Sequence, residues 1–380
     1  MNDEHVLVLD AVAKSYAGVP ALAPTSFAIE KGEFLTLLGP SGSGKSTLLK
    51  LIAGFEAPSS GAIWLRSRDI SGLSPAERQL GMVFQSYSLF PNLTVAKNIE
   101  YGLKRRRWSP ERRRARVAEM LSIVKLEHRA NALPAELSGG QQQRVAVARS
   151  LAYDPDVLLM DEPLGALDRT LRLEMESEIK RIHGELGTTF VYVTHDQQEA
   201  MHLSTRIAIM NNSQVVALGR PDDLFRDPPN IFTAEFFSDA TTIGGVVDDK
   251  GRFRFEGGAD SWRAPSGTVP GRCVLGIRPR AVHLGIIEGS IVVRGIVTSS
   301  MLFGDEVRLL IDTDAVSNLR VVIPSRASTF SPGDRIDFSI PWEDAILLPA
   351  DTASPGTGAA FPDFDSDLAA DSPVASGLDR

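Results

Sequence analysis

The chain has 380 residues, of which 43% are hydrophobic and 23% are charged, as is ordinary for a soluble globular protein of two or three domains. No apolar run reaches the roughly 18–20 residues that a membrane-spanning helix needs, and the polar start Met1–His5 does not fit a secretory signal. The net charge of −8 argues against nucleic-acid binding, and a single cysteine, Cys273, excludes an intrachain disulfide. These features fit a protein of the reducing cytoplasm.

The first motif with a chemical meaning is a glycine-rich loop of the pattern G-x-x-x-x-G-K-S between a predicted strand, Phe34–Leu38, and a predicted helix over residues 47–53. Glycines let successive backbone N–H groups face phosphate oxygens, and the helix N-terminus favours the anion. The lysine can reach the β- and γ-phosphates, and the next hydroxyl can hold Mg²⁺. The sequence therefore predicts nucleoside triphosphate binding by Gly39, Pro40, Ser41, Gly42, Ser43, Gly44, Lys45, Ser46 and Thr47.

A second predicted anion-binding turn opens the helical stretch from Gln141 to Leu151. Its N–H groups can face an anion at a helix N-terminus. The same turn also suits a plain helix N-cap, because serine is among the preferred capping residues. Taken alone, the turn fits both interpretations equally well. Its residues are Leu137, Ser138, Gly139, Gly140 and Gln141.

Further along the chain, an apolar strand ends in two carboxylates. Val157–Met160 reads as a buried strand, and Asp161 and Glu162 follow it. Asp161 is placed to hold Mg²⁺, and Glu162 could polarise an attacking water. Such a strand on its own more often meets an ordinary polar turn, but together with the phosphate loop it indicates a nucleotide hydrolase.

The composition changes after residue 238. Residues 239–348 contain short β-rich segments such as Cys273–Ile277 and Ile336–Ile340, at a spacing typical of a small all-β barrel. Residues 349–380 are rich in Ala, Ser, Pro, Gly and Asp and have little to bury, so we expect a disordered tail. The sequence thus predicts an α/β domain at 1–238, a β-barrel at 239–348 and a tail at 349–380.

The order of these motifs resembles that of the ATP-binding subunits of ABC transporters, over residues 5–240. The resemblance implies an α/β P-loop NTPase fold with a helical subdomain, followed by an all-β, OB-like barrel. It also implies further site residues, although Tyr16 alone would be a half-exposed aromatic and His195 a satisfied polar residue. They are Tyr16 stacking on adenine, Gln85 touching Mg²⁺ and the membrane partner, Asp168 in the D-loop, and His195 sensing the γ-phosphate. Gly165 stands where the family often has Ser.

The resemblance implies a division of labour between two copies of the chain. In the family, the signature turn of one subunit, which matches Leu137–Gln141 here, closes over the nucleotide of the other. This implies a two-fold homodimer around two ATP molecules. Within each site, Glu162 would orient water, His195 would meet the γ-phosphate, and Ser46, Gln85 and Asp161 would hold Mg²⁺. The implied partners are two transmembrane permease subunits and, indirectly, an extracytoplasmic solute-binding protein, at the cytoplasmic face of a bacterial membrane.

The segments Gly276–Pro279 and Phe303–Val307 resemble the regulatory (TOBE) domain of bacterial importer ATPases. Arg280 stands where that subfamily usually has Glu, which puts any contact through that carboxylate in doubt. The segment Phe84–Pro91 looks closest to polyamine importers of the spermidine/putrescine type. Ferric-iron, sugar and phosphonate importers stay as alternatives, as does a DNA-repair or regulatory ATPase.

A basic run occupies residues 104–107 and continues at residues 112–114 and Arg116. It could bind nucleic acid, or it could form a solvated helical face near acidic lipid headgroups. The acidic charge of the whole chain favours the solvated face and predicts no nucleic-acid partner.

Overall fold

The computed structural model describes residues 5–165, 167–256, 258, 260–325 and 330–350. Of the predicted tail, only Pro349 and Ala350 lie within the described residues. Pro349 ends the last strand, and the Ala350 N–H donates to the Arg272 carbonyl oxygen at 3.2 Å. The expected disorder of the tail concerns residues outside the described ones.

The N-terminal part alternates strands and helices, which confirms the predicted α/β class. Two short 3₁₀ helices at Glu127–Arg129 and Pro134–Glu136 accompany the regular elements. The strands are β1 His5–Tyr16, β2 Val19–Glu30, β3 Phe34–Leu38, β4 Ser60–Leu65, β5 Arg68–Asp69, β6 Gly81–Val83, β7 Val157–Asp161, β8 Thr189–Thr194, β9 Arg206–Asn211 and β10 Gln214–Gly219. The helices are α1 Lys45–Ala53, α2 Pro75–Arg78, α3 Val95–Arg105, α4 Pro110–Ile123, α5 Gly139–Leu151, α6 Arg169–Leu186, α7 Gln197–Leu203, α8 Pro221–Arg226 and α9 Ile231–Ser238.

A six-stranded sheet carries the nucleotide motifs, in the order β10-β9-β3-β8-β7-β6. All its neighbours pair in parallel except β10, which forms a hairpin with β9. Strands β3 and β8 are buried along their whole length, as expected when both faces of a parallel sheet are covered. Parallel neighbours place their carboxyl ends at one edge of the sheet, where α/β proteins bind their ligands. A separate antiparallel sheet has the order β2-β1-β4-β5.

Two apolar cores cover the six-stranded sheet. One contains buried side chains of α1, such as Leu48 and Ile52, together with residues of β1 and β3. The other contains residues of α3, α4, α5 and α6, so the helices inserted between β6 and β7 form a helical subdomain. Among the described residues, no helix has both the length and the apolar character that a membrane span requires.

The C-terminal part is all-β, as predicted. Two five-stranded antiparallel sheets, in the orders β13-β12-β11-β14-β20 and β15-β19-β16-β17-β18, share one apolar core. The strands are β11 Thr241–Val247, β12 Arg252–Phe255, β13 Trp262–Arg263, β14 Gly271–Ile277, β15 His283–Leu284, β16 Ile291–Phe303, β17 Glu306–Thr313, β18 Leu319–Pro324, β19 Arg335–Ile340 and β20 Ala345–Pro349.

Arg278 connects the two parts of the chain. Its guanidinium donates to the carbonyl oxygens of Phe225 (2.7 Å) and Arg226 (2.8 Å) on α8. Arg280, the residue that departs from the subfamily pattern, forms an ion pair with Glu306 of β17. The reversed charge at position 280 is therefore balanced within the β-domain.

Candidate functional site

The phosphate loop, residues 39–44, joins β3 to α1. Helix α1 begins at Lys45, two residues before the predicted start, after Gly44 with a left-handed φ of 101°. Gly39 has a different reason to be glycine, since a Cβ atom there would lie 2.2 Å from the carbonyl oxygen of Met210 on β9. The loop thus depends on glycine at Gly42 and Gly44 for a left-handed backbone conformation, and at Gly39 for close packing against a neighbouring strand.

Lys45 lies inside the loop that it closes. Its ammonium group donates to the carbonyl oxygens of Gly39 (2.7 Å) and Pro40 (2.8 Å), and the residue is only 5% exposed. Burial lowers the pKa of Lys45, whereas the carboxylates of Glu162 and Asp161 oppose that shift. A desolvated ammonium held by two neutral carbonyls and, at 3.5 Å, by the Ser43 hydroxyl is well suited to exchange these neutral partners for anionic phosphate oxygens.

A cleft of about 270 Å³ opens at the loop. The phosphate loop, the start of α1, β2 and the β9–β10 turn form its walls. Tyr16 does not line this cleft; it is 46% exposed at the end of β1 and donates its hydroxyl to Glu56, and this bond raises the pKa of Tyr16. The lining residues are Pro20, Ala21, Gly42, Ser43, Gly44, Lys45, Ser46, Thr47 and Ser213.

Asp161 and Glu162 lie at the carboxyl end of β7, as predicted. Burial raises the pKa of Asp161, and the neighbouring Glu162 carboxylate adds to the rise. Glu162 has a left-handed φ of 42°, and its N–H donates to the Val193 carbonyl oxygen of β8 at 3.1 Å. This turn brings the Glu162 Oε2 within 3.4 Å of the His195 Nδ1, so residues from two neighbouring strands meet at one edge of the sheet.

Gln85 lies beside this pair. A Cβ atom built on Gly165 would be 3.8 Å from the Gln85 Nε2 and 3.9 Å from the Glu162 Oε2. These are ordinary van der Waals distances. The space therefore accommodates either the Gly165 of this chain or the Ser that is common in the family, and Gln85 and Glu162 border the same small region.

An oxygen-donor set suited to Mg²⁺ adjoins the cleft. No group of three His, Cys, Asp or Glu side chains that could hold a metal occurs among the described residues. Mg²⁺ bound with a nucleotide needs fewer protein ligands, because it takes one or two carboxylates together with phosphate oxygens and waters. The half-buried Asp161 carboxylate, which acts electrostatically on Lys45, and the Ser46 hydroxyl fit that requirement.

The signature turn adopts the capped form. The Ser138 N–H donates to the Gln141 Oε1 at 3.1 Å and the Ser138 Oγ accepts from the Gln141 N–H at 3.4 Å, so α5 begins two residues earlier than predicted. Gly140 has little room for a side chain, since a Cβ atom there would lie 2.8 Å from the Leu171 Cδ1 of α6. None of the signature residues lines the described cleft, so turn and cleft are separate surfaces.

Two arginines that the sequence analysis missed connect these motifs. Asp168 caps α6 by accepting from the Leu171 N–H at 3.0 Å, and Arg172 on that helix pairs with Asp196 at 3.2 Å, next to His195. The sequence signal for this contact was the spacing of Asp168 and Arg172, which places Arg172 one helical turn after the capping residue. The D-loop and the histidine loop are therefore tied together within the chain.

Arg149 makes the second connection. From α5 its guanidinium donates to the carbonyl oxygens of Tyr87 (3.0 Å) and Ser88 (2.6 Å). These residues follow Gln85, the residue that matches the family's Q-loop glutamine, by two and three positions. Both accepting residues have left-handed φ angles, 57° and 46°. The sequence signal for this contact was an arginine in the last turn of a predicted helix, one turn after the apolar residues Val145 and Ala146. The helix that begins at the signature thus holds the backbone of the Q-loop segment.

The loop, the carboxylate strand and the capped signature helix define a P-loop ATPase of the ABC class. The ABC transporter family profile matches residues 22–165, and the TOBE domain profile matches residues 275–348. The chain belongs to the ATP-binding subunits of ABC importers that carry a C-terminal TOBE domain. It binds ATP, and its hydrolysis of ATP energises import.

Individual relatives agree with this assignment. The spermidine/putrescine import ATP-binding protein PotA of Thermobifida fusca is 43% identical over 325 residues, covering 81% of this chain and 84% of the relative. PotA of Ruegeria pomeroyi is 40% identical over 353 residues, covering 89% and 95%. The Fe(3+) ions import ATP-binding protein FbpC of Fusobacterium nucleatum is 38% identical over 327 residues, covering 85% and 88%.

Solved structures agree as well. The structure of cbiO1 from Clostridium perfringens, part of the ABC transporter complex cbiONQ, has a TM-score of 0.55 and 29% identity, covering 58% of this chain and 91% of that chain. The dimeric structure of MJ0796, a bacterial ABC transporter cassette, has a TM-score of 0.50 and 37% identity, covering 56% and 98%.

Proposed function

We propose that this chain is the ATPase of a polyamine importer and that its hydrolytic centre is formed by Glu162 and His195 beside the phosphate loop. The observation that carries the proposal is the 3.4 Å contact between these two side chains, at the sheet edge where Asp161 also lies. In this arrangement His195 fixes the orientation of the Glu162 carboxylate, which positions water for in-line attack on the γ-phosphate.

The phosphate loop supplies the rest of the site. Lys45 exchanges the carbonyls of Gly39 and Pro40 for oxygens of the β- and γ-phosphates, and the backbone N–H groups of residues 42–47 surround the phosphates. Ser46, Gln85 and Asp161 would hold Mg²⁺, which would supply neutralisation of the charge that develops on the phosphates. Tyr16 contributes its ring to the adenine. Its hydroxyl is held by Glu56, so the ring orientation is defined.

Substitution of Glu162 tests the hydrolytic centre. Glu162→Gln should keep ATP binding and lower the turnover by roughly 10²–10⁴-fold, because a group that positions or activates water contributes about that much. Lys45→Ala should instead weaken ATP binding, since it removes the cation from the phosphates. Phosphate release and equilibrium ATP binding are the two measurements, and Glu174→Gln, exposed on α6, is the control. Undiminished turnover in Glu162→Gln would contradict the role of Glu162 in positioning the attacking water.

Each chain carries one phosphate loop and one signature turn on separate surfaces, so a complete ATP site needs a second copy of the chain. The signature turn, residues 137–141, lies outside the cleft of its own chain. We place it over the nucleotide of a partner copy in a two-fold homodimer, where the Ser138 hydroxyl and the helix N-terminus face the γ-phosphate. Asp168, whose helix is tied to the His195 loop through Arg172, lies at the same interface.

Two aromatic pairs flank the Q-loop and suit a permease contact. Phe55 and Phe84 lie 5.9 Å apart between ring centroids, and Phe90 and Tyr101 lie 4.3 Å apart. Phe55, Phe90 and Tyr101 are exposed to 51%, 36% and 39%. Exposed aromatics of this kind are typical of interaction surfaces. We assign these four rings, named here the coupling face, to the cytoplasmic side of two membrane permease subunits.

The proposed cargo is a polyamine of the spermidine/putrescine type, delivered through an extracytoplasmic binding protein. The names of the Thermobifida and Ruegeria relatives support it, while the Fusobacterium relative supports ferric iron as the alternative. Reconstitution with the cognate permease and binding protein decides between them. Stimulation of ATP turnover by spermidine or putrescine is the expected result. Stimulation by ferric ion, sugar or phosphonate alone would refute the polyamine assignment and leave the importer assignment intact.

A further inference from the structure

A strongly basic segment joins α3 to α4. Residues 104–116 contain eight lysine and arginine side chains and one carboxylate, in a chain with a net charge of −8. Lys104 and Arg105 end α3, Arg107 lies in the connection, and Arg112 lies in the first turn of α4; all four are exposed. We name residues 104–112 the basic turn.

The fold accounts for only some of these cations. Arg113 pairs with Glu100 at 2.7 Å, Arg116 donates to the Ala152 carbonyl oxygen at 2.9 Å, and Arg106 lies 4.2 Å from the centroid of the Tyr153 ring. Lys104, Arg105 and Arg107 have no carboxylate partner in the part of the chain that the structure describes. Three cations without a carboxylate partner within four consecutive residues repel each other, so a stable anionic partner offers a reason for their presence.

Two aromatic side chains border the basic turn. The Arg112 guanidinium carbon lies 3.7 Å from the centroid of the half-buried Trp108 ring. Tyr101 lies one helical turn before Lys104 and Arg105 and so shares their face of α3. Membrane–water interfaces favour this combination of lysine and arginine with tryptophan and tyrosine. Since Arg112 already covers one face of Trp108, the ring is less suited to the base stacking that single-stranded nucleic acids use.

The position of the basic turn points to the same partner. Tyr101 contacts Phe90, and both belong to the coupling face proposed to meet the membrane-embedded permease. The cations of α3 therefore adjoin the surface that would approach the bilayer. We infer that the basic turn docks on anionic lipid headgroups beside the permease, with Lys104, Arg105 and Arg107 as the headgroup ligands. The inference rests on the proposed function for the orientation of this face.

Co-sedimentation of the full chain with vesicles tests the inference without a permease. The chain should bind vesicles of phosphatidylcholine mixed with phosphatidylglycerol, should not bind phosphatidylcholine alone, and should be released at high salt. Lys104→Gln/Arg105→Gln/Arg107→Gln should weaken binding at least tenfold, because each cation near an anionic surface contributes about fivefold. The matched control, Lys250→Gln/Arg254→Gln/Arg263→Gln, removes three exposed cations of the β-domain and should change binding less than about twofold.

Further measurements separate this inference from the proposed function. ATP turnover of the triple variant in solution should equal that of the wild type, which also shows that it is folded. Anionic vesicles should shift the tryptophan fluorescence emission of the wild type, and they should not shift that of the Trp108→Phe variant. Equal vesicle binding by both triple variants, absence of wild-type binding, or binding to a nucleic-acid duplex in preference to vesicles would overturn the inference. Loss of turnover in Glu162→Gln together with any of these results would leave the ATPase assignment standing.

Discussion

Lys45 and Asp161 are both partly removed from water at the site, although a charged side chain is more stable when it is hydrated. The Lys45 ammonium is surrounded by loop carbonyls, and burial disfavours the charged form of both residues. Groups kept charged in a partly dry site interact more strongly with a ligand than they would in water. The site is therefore electrostatically arranged for phosphate and Mg²⁺ before either arrives, at a cost to the stability of the free protein.

Because the pKa of Asp161 is raised, this loss of stability depends on pH. The folded chain binds this proton more tightly than the unfolded chain, so stability falls as pH rises from the ordinary value of 3.8 through the raised pKa of the folded state. At neutral pH, Asp161→Asn should raise the melting temperature of the nucleotide-free protein by an amount on the order of 1–3 °C. The gain should shrink as the pH is lowered.

Thermal unfolding across pH, with and without Mg²⁺ and ATP, checks this prediction. The wild type should gain more from Mg²⁺ and ATP than the variant does, because the Asp161 carboxylate is the group proposed to bind the metal. Asp249→Asn, which removes an exposed carboxylate of the β-domain, should show neither effect. A variant that is less stable than the wild type at neutral pH would contradict the account.

At the scale of elements, α5 connects two functional surfaces. It begins at the signature turn and carries Arg149, which holds the carbonyl oxygens of Tyr87 and Ser88 in a left-handed stretch. Phe90 of the coupling face follows that stretch, and its ring centroid lies 5.7 Å from the Arg149 guanidinium carbon. A movement of the signature helix would thus reach the permease contact through one side chain.

Arg149→Gln should uncouple these surfaces. Loss of two charge-assisted hydrogen bonds should lower the free energy of unfolding by about 1–3 kcal/mol. ATP binding and basal turnover should change little, whereas the stimulation of turnover by the permease should fall several-fold. The matched control is Arg116→Gln, because Arg116 of α4 also donates to two carbonyl oxygens at the C-terminal end of α5, those of Leu151 and Ala152, and makes no contact with the Q-loop segment among those described.

Denaturant unfolding and the ratio of permease-stimulated to basal turnover are the measurements for both variants. Arg116→Gln should lose comparable stability and keep its stimulation. Equal losses of stimulation in the two variants would show that general stability, and not the Q-loop contact, underlies the effect.

At the scale of the whole molecule, the proposed homodimer makes each chain half of a catalytic unit. The phosphate loop and the signature turn lie on separate surfaces, and Arg278 ties the β-domain to α8 of the ATPase domain. A two-fold pair would complete two sites at once. ATP would then favour the closed pair, and hydrolysis would release it, because the γ-phosphate contacts both copies.

Association with ATP tests the half-site arrangement. Glu162→Gln should form dimers with ATP and Mg²⁺. Adding Ser138→Asp should weaken that association at least about tenfold, because a carboxylate would face the γ-phosphate with like charge. Aspartate is itself a good N-cap, so α5 should stay intact.

Analytical ultracentrifugation gives the measurement, and Glu162→Gln with Ser122→Asp is the control, since Ser122 is exposed on α4. The control should dimerise as Glu162→Gln does. ATP-bound monomers alone in Glu162→Gln, with Mg²⁺ present, would contradict the half-site arrangement.

The sequence alone determined the features that depend on local chemistry. The glycine pattern of the phosphate loop, the buried strand before Asp161 and the capping serine of the signature helix each follow from the backbone preferences of a few consecutive residues. For the same reason the two helix starts were predicted only to within two residues. The change after residue 238 from alternating strands and helices to short β-segments could also be predicted, because hydrophobic periodicity is a local property of the sequence.

Only the tertiary structure decided which of these residues meet. The contact of Glu162 with His195 depends on the parallel pairing of β7 with β8, and the contact of Arg149 with Tyr87 depends on how α5 packs near β6. The position of Arg172 beside Asp196 likewise depends on how the chain packs. Such contacts join residues that are up to about 60 positions apart, and no local preference specifies them, because closing a loop of that length is repaid only by the assembled core.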